Sequence, residues 1–273
     1  MKKTTYCILI TILTLTSFLI GCKNEKSDEN VLPRLREVEH YYYDITHKYT
    51  DATQTTLIEA DTVLTITTEH WTWDNDRVSK IETYEGGTLK HTIEYAPTER
   101  GTLMNDSRDP SQKTLYIYDA EHIDSIIRYD NNERTWDCDF LYKDDEITQA
   151  IVGSYSNGTL IGSTTYNLTF ENGDLMQMDY VSDGTKSVKT YTYGSAANPY
   201  RMTDRSLTHL NLSHHIALTE DYKYTDNYGS EKNDHREYNY TMQDGLPQTM
   251  EHKAESDVGK YHNIYIHRYV YRY

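Results

Sequence analysis

Short apolar runs alternate with clusters of Asp, Asn and Gly along most of the chain, and one pattern recurs. An aromatic residue is followed by a polar turn and, five positions on, by a branched apolar residue. Trp73-Asp74-Asn75-Asp76-Arg77-Val78 is one copy; Tyr118 to Ile123, Tyr142 to Ile147 and Phe170 to Leu175 are three more. Tyr240 to Leu246 is a fifth, longer by one residue through Asp244-Gly245. Second turns fall between the copies: Glu85-Gly86-Gly87, Asp130-Asn131-Asn132, Ser156-Asn157-Gly158 and Ser182-Asp183-Gly184. Asn, Asp and Gly tolerate the positive φ that tight hairpins need. The order strand, turn, strand, turn predicts an all-β fold, an elongated, twisted antiparallel meander of repeated hairpins with little helix. Residues 97–113, with Gly101 and Pro110, and 194–216, with Asn198-Pro199, lack the pattern and read as loop insertions.

Tyrosine sharpens this picture. The chain has 27 Tyr against 3 Phe and 3 Trp. Average usage would give about 9 Tyr in this length. Tyr41/Tyr43, Tyr116/Tyr118, Tyr191/Tyr193, Tyr222/Tyr224, Tyr238/Tyr240 and Tyr269/Tyr271/Tyr273 are all spaced by two. Positions i and i+2 of a strand share a face, so each set predicts a cross-strand aromatic ladder. A buried hydroxyl needs a partner. Tyr in place of Phe therefore predicts a thin sheet whose rings are half-covered and whose hydroxyls reach water. With 36 Thr against 9 Ala, composition also favours strand over helix.

The first segment follows different rules. Lys2 and Lys3 precede an apolar stretch from Tyr6 to Ile20, too short for comfortable bilayer spanning but right for a secretory signal. Leu19-Ile20-Gly21-Cys22 then resembles the lipobox of bacterial lipoproteins, in which the peptidase cuts before the Cys and the Cys is lipidated. That resemblance implies a signal peptide over 1–21, an acylated Cys22 with a flexible tether over 22–33, and a Tyr-rich β-repeat domain over 34–273. A multi-chain lipid anchor holds stably where one chain does not. Lys23, rather than Asp, after the Cys favours the outer membrane within that family. Glu25, Asp28 and Glu29 are similar to a surface-export signal and equally suit a solvated tether, so the protein faces either the periplasm or the exterior.

The Tyr-Asp pairs, the hairpin period and the lipobox together resemble YD-type (RHS-like) β-hairpin repeat proteins, among them bacterial lipoproteins of unknown function. Trp73 to Ile81 matches the module best, with Trp for Tyr. The resemblance spans roughly 34–273, carries no catalytic motif and implies architecture rather than activity.

Charge and chemistry narrow the function classes. A net charge of −16 argues against nucleic-acid binding, which needs a basic surface. No phosphate-binding Gly loop, Gly-x-Ser-x-Gly, His-Glu-x-x-His or Cys-x-x-Cys is present, so an envelope hydrolase has no positive motif and no cofactor is implied. His209, His214, His215, His262 and His267 lack metal-ligand spacing, and the acidic clusters are explained by turns, so no metal is expected. With Cys7 removed and Cys22 acylated, Cys138 has no disulfide partner and reads as a small strand residue. A structural or protein-interaction module of the envelope is the first expectation. The alternative is a glycan-binding surface lipoprotein, with Trp71, Trp73 and Trp136 as stacking platforms. The expected partners are the membrane, through Cys22, and a glycan or envelope protein.

Overall fold

The computed structural model describes residues 34–200 and 212–273, apart from Asp76, Ala120, Glu121, Asp145 and Asp183. The expected signal peptide, Cys22 and the expected tether lie outside the described residues, as does His209. The strands in order are β1 (Glu37–Tyr49), β2 (Leu57–Asp74), β3 (Arg77–Glu85), β4 (Thr88–Thr98), β5 (Gly101–Asp106), β6 (Gln112–Asp119), β7 (His122–Asp130), β8 (Glu133–Lys143) and β9 (Glu146–Ser156). They continue as β10 (Thr159–Glu171), β11 (Asp174–Ser182), β12 (Thr185–Ala197), β13 (His215–Thr225), β14 (Glu231–Glu237), β15 (Asn239–Gln243), β16 (Leu246–Val258) and β17 (Tyr261–Arg272).

Apart from β14 and β15, each strand pairs antiparallel with its neighbours in sequence, as the turn spacing predicts. The meander then curls back on itself. β1 pairs with β2 on one side and with β17 on the other, over twelve positions from Glu37↔Arg272 to Lys48↔Tyr261. β14 and β15 form one run through Tyr238, whose N–H donates to Leu218 O at 2.9 Å. The first half pairs with β13 and the second with β16. The seventeen assigned strands therefore behave as sixteen. An even count is what lets the first and last strands run antiparallel and close the sheet into a barrel.

The repeat pattern maps onto one end of this barrel. Trp73, Tyr118, Tyr142 and Phe170 end their strands there, opposite Val78, Ile123, Ile147 and Leu175. Ser79, Asp124, Thr148 and Met176 are the unpaired extra residues of β-bulges beside those pairs. Bulges sharpen the local twist and so help the sheet to curl. The fifth copy differs: Met242 stands opposite Pro247, and Tyr240 lies two residues deeper, opposite Met250. The second set of turns caps the other end. Asn131, Asn132, Asn157, Gly158, Gly86 and Gly87 all have positive φ there, as tight hairpin tips require.

Residues 97–113 depart from expectation. They are not a long loop but hold the end of β4, all of β5 and the start of β6, a further hairpin turning at Glu99-Arg100. Gly101 explains why the pattern is missing here. A Cβ on it would lie 1.9 Å from Tyr116 O, so the strand begins on a residue chosen for close approach rather than for an apolar side chain. The second interruption is narrower than 194–216, because β12 runs to Ala197 and β13 starts at His215.

Buried residues form a belt at the bulged end. Almost every strand contributes, including Val38, Trp71, Ile81, Tyr95, Tyr116, Cys138, Ala150, Leu168, Leu175, Tyr191, Tyr238, Met250 and Tyr271. The β12–β13 connection adds to it from inside the bore. Tyr200 lies 5.8 Å from the Tyr271 ring and 6.1 Å from Trp71, on the wall made by β17 and β2.

The tyrosine hydroxyls of this end are not in water, contrary to the thin-sheet expectation. Tyr142 donates to Ile123 O at 2.7 Å, Tyr193 to Leu175 O at 2.7 Å and Tyr273 to Pro247 O at 2.9 Å. Trp73 Nε1 does the same to Leu35 O at 2.6 Å. In these four hairpins the aromatic near the end of one strand reaches a carbonyl near the start of its partner. A carbonyl freed by an irregular ladder needs a donor, which Tyr and Trp supply and Phe cannot. That favours Tyr or Trp over Phe at these four positions, although Phe170 holds the corresponding place on β10.

Candidate functional site: the lumen above the aromatic belt

Cross-strand partners share a face, so the pairing registers assign inward and outward positions. Tyr116/Tyr118, Tyr191/Tyr193, Tyr222/Tyr224, Tyr238/Tyr240 and Tyr269/Tyr271 point inward with the belt, whereas Tyr41/Tyr43 points outward. Above the belt the inner wall changes character. A cavity of about 820 Å³ opens there, with Tyr95, Tyr116 and Ile126 as its floor. Its walls mix aromatic, apolar and charged side chains, among them Trp136, Tyr166, Tyr180, Met178, Glu69 and Lys189. Arg108 and Arg128 stand nearer the rim, the former side chain 60% exposed.

The polar groups of this wall are organised. Lys189 Nζ lies 3.0 Å from the Glu220 carboxylate, which also accepts from the Tyr238 hydroxyl at 3.2 Å. Arg108 Nε donates to Asp106 Oδ2 at 2.9 Å. Burial raises the Asp106 pKa, but the hydrogen bonds and charge of Arg108 outweigh it and hold the carboxyl below its ordinary value. The Arg128 guanidinium sits 5.2 Å from the centre of the Trp136 ring, directly opposite it in the β7–β8 ladder. Tyr166 and Tyr180 form an adjacent ring pair, 4.6 Å between centroids.

On the opposite wall, β1, β16 and β17 bring together His40, His252 and His267. His40 Nε2 is 3.0 Å from His267 Nδ1, and His252 stacks on His267 with centroids 4.6 Å apart. Burial, then the neighbouring His267 and Arg236, push the His252 pKa down to about 4. Burial first, and the second imidazole next, also lower His40. These rings lie near parallel rather than converging, and among the described residues no group of three or more His, Cys, Asp or Glu is placed to hold a metal. Of the histidines singled out by sequence, His215 is bonded instead to Asp174, at 2.8 Å. Sequence inspection missed the lumen histidines as a group because His40 on β1 is more than two hundred residues from His252 and His267 on β16 and β17.

The three tryptophans separate. Trp71 is 5% exposed, donates to Glu69 Oε2 at 3.1 Å and packs against Trp73 and Tyr200, so its ring is covered and presents no stacking face. Trp73 packs on the belt with its N–H tied to Leu35. Trp136 alone of the three lines the cavity. Cys138 is fully buried and its thiol is pushed up to about 12 by burial, then by Asp139, which makes it an inert core residue.

No family model matches the chain, and no curated protein matches it. Among solved structures, one similar fold is the crystal structure of a porin-like protein from Bacteroides vulgatus. It is 11% identical, with 88% of this chain and 98% of that chain covered, at a TM-score of 0.32.

Proposed function

We propose that the protein is a lipid-anchored component of the outer membrane that holds a glycan in the lumen above its aromatic belt. The cavity carries the reading. It is floored on one side, open on the other, and lined by flat aromatic rings beside donors and acceptors. Sugar rings offer apolar faces for stacking and hydroxyls for hydrogen bonding, and binding sites of this kind are mostly apolar with a few placed polar groups. Trp136 and the Tyr166–Tyr180 pair supply the surfaces, and Asp106, Arg108 and Thr114 the polar contacts.

The anchor belongs to the same reading, because the outer wall is unsuited to lipid. Outward positions carry Lys80 and Glu82 on β3, Asp139 on β8, and Glu251, Lys253 and Glu255 on β16. A Lys or Arg facing lipid at mid-membrane costs about 2–4 kcal/mol. Attachment through an acylated Cys22 requires no such burial, and the barrel then stands in water on either side of the membrane.

A glycan array of the purified mature protein and its Trp136→Ala variant tests the reading. Binding that W136A weakens at least tenfold, with unchanged melting, supports it. Silence across plant, host and bacterial glycans would overturn it. A second reading, protein interaction, is favoured by the outer faces of β2, β1 and β17. Tyr43 lies there between Leu64 and Ile266, and Ile45 beside Ile264, an apolar strip on the outer wall. Capture of an envelope protein that Leu64→Glu abolishes would support this alternative.

A further inference from the structure

Resting on the glycan reading, we infer that the sugar taken into the lumen is acidic, and that Arg128 receives its anionic group.

Three lysine or arginine side chains line the cavity, and they differ in what already neutralises them. Arg108 is bound by Asp106 and Lys189 by Glu220. Arg128 has no carboxylate partner among the described residues; its contact is with the Trp136 ring. A guanidinium lying against an aromatic face is held by cation–π attraction while its N–H edge stays available. That edge is the group best suited to two parallel hydrogen bonds with a carboxylate or sulfate.

The backbone fixes this arrangement. Arg128 stands opposite Thr114 on β6 and Trp136 on β8, and Trp136 stands opposite Ser154 on β9. One inward-facing rung thus carries a hydroxyl, a guanidinium, an indole and a second hydroxyl across four strands. A β-bulge at Thr135, whose hydroxyl donates to Arg128 O at 3.3 Å, sets the twist at this point. The spacing between neighbouring strands is about 4.8 Å, so the rung is roughly as long as two or three sugar rings. The chain as a whole is acidic, at −16, so its overall field would repel such a ligand. Selectivity for an acidic sugar must therefore come from this one local contact, which makes it testable by a single substitution.

The experiment measures dissociation constants by calorimetry for the wild type, Arg128→Gln and Arg128→Lys. The probes are a neutral hexose oligomer, a uronic-acid oligomer of equal length and a sulfated oligomer. Hydrogen bonds to charged groups imply a preference of about tenfold to a hundredfold for an acidic probe over the neutral one. R128Q should bring binding of the acidic probes down to that of the neutral one. R128K should keep part of the preference, because it retains the charge without the fork. The ratio of uronic to sulfated binding tells which anion is the source, and Arg128-dependent binding of either supports the inference. Equal binding of neutral and acidic oligomers, or an acidic preference that survives R128Q, would overturn it and leave the glycan reading standing. No binding by any of the three oligomers overturns both.

Discussion

Tyr193 offers a direct test of how the belt end is held. Its hydroxyl donates to Leu175 O at 2.7 Å and accepts from Ser213 Oγ at 2.8 Å. Ser213 is fully buried, and its Oγ also accepts from Leu175 N at 3.0 Å. Asn198 Nδ2 bonds Ser213 O at 2.9 Å, so the same small network ties both ends of the β12–β13 connection to β11. Tyr193→Phe removes one oxygen and leaves two groups unpaired, the Leu175 carbonyl and the Ser213 hydroxyl proton. An unsatisfied buried group costs about 1–3 kcal/mol, and partial relief by water brings the expected total to about 2 kcal/mol. In a domain of this size that corresponds to a fall in Tm of about 4–8 °C. Urea unfolding followed by tryptophan fluorescence gives the free energy, with an unchanged slope confirming a comparable unfolded state. Tyr228→Phe is the control, because Tyr228 is 89% exposed and its loss should be within about 0.5 kcal/mol of neutral. If Tyr193→Phe is as mild as Tyr228→Phe, the claim that buried hydroxyls hold the bulged end is wrong.

Stability should fall with acid through the lumen histidines. The folded-state pKa of His252 is about 4, below the ordinary 6.5, so the unfolded chain binds its proton first. The contribution is present in full above pH 6.5 and is lost as pH falls from there to about 4. The loss from this group is on the order of 3 kcal/mol at most, and His252→Phe should flatten the urea midpoint between pH 7 and 4.5 relative to the wild type. Gly101→Ala should destabilise by more than about 2 kcal/mol in thermal or urea melts, because its methyl would meet the Tyr116 carbonyl and neither backbone can yield cheaply. Cys138 should react with a thiol reagent only upon unfolding; rapid labelling of the native protein would contradict its burial and its raised pKa of about 12.

The strand order was legible because turns announce themselves. Asn131-Asn132, Asn157-Gly158 and Gly86-Gly87 are residues whose positive φ costs little, and each sits at a hairpin tip. The pattern from aromatic to branched residue located the opposite set of turns, because Trp73, Tyr118, Tyr142 and Phe170 each stand across from the branched residue five places on. The hairpin at 97–113 was missed because Gly101 occupies a place where the pattern leads one to look for an apolar side chain. The site was less legible still. Trp71, Trp73 and Trp136 are indistinguishable by composition, and only their depth in the barrel separates a covered ring from one beside a cavity.

Local chemistry along the chain was thus sufficient to determine most hairpins, their tips and the face-sharing of Tyr-x-Tyr pairs. Period two says that Tyr191 and Tyr193 share a face, but not which face is inside. That choice, and the pairing of Glu37 with Arg272 across most of the chain, depends on twist accumulated over every strand and bulge. Closure then converts half-exposed tyrosines into a buried belt with satisfied hydroxyls, and brings Arg108, Arg128 and Lys189 from three separate hairpins around one lumen.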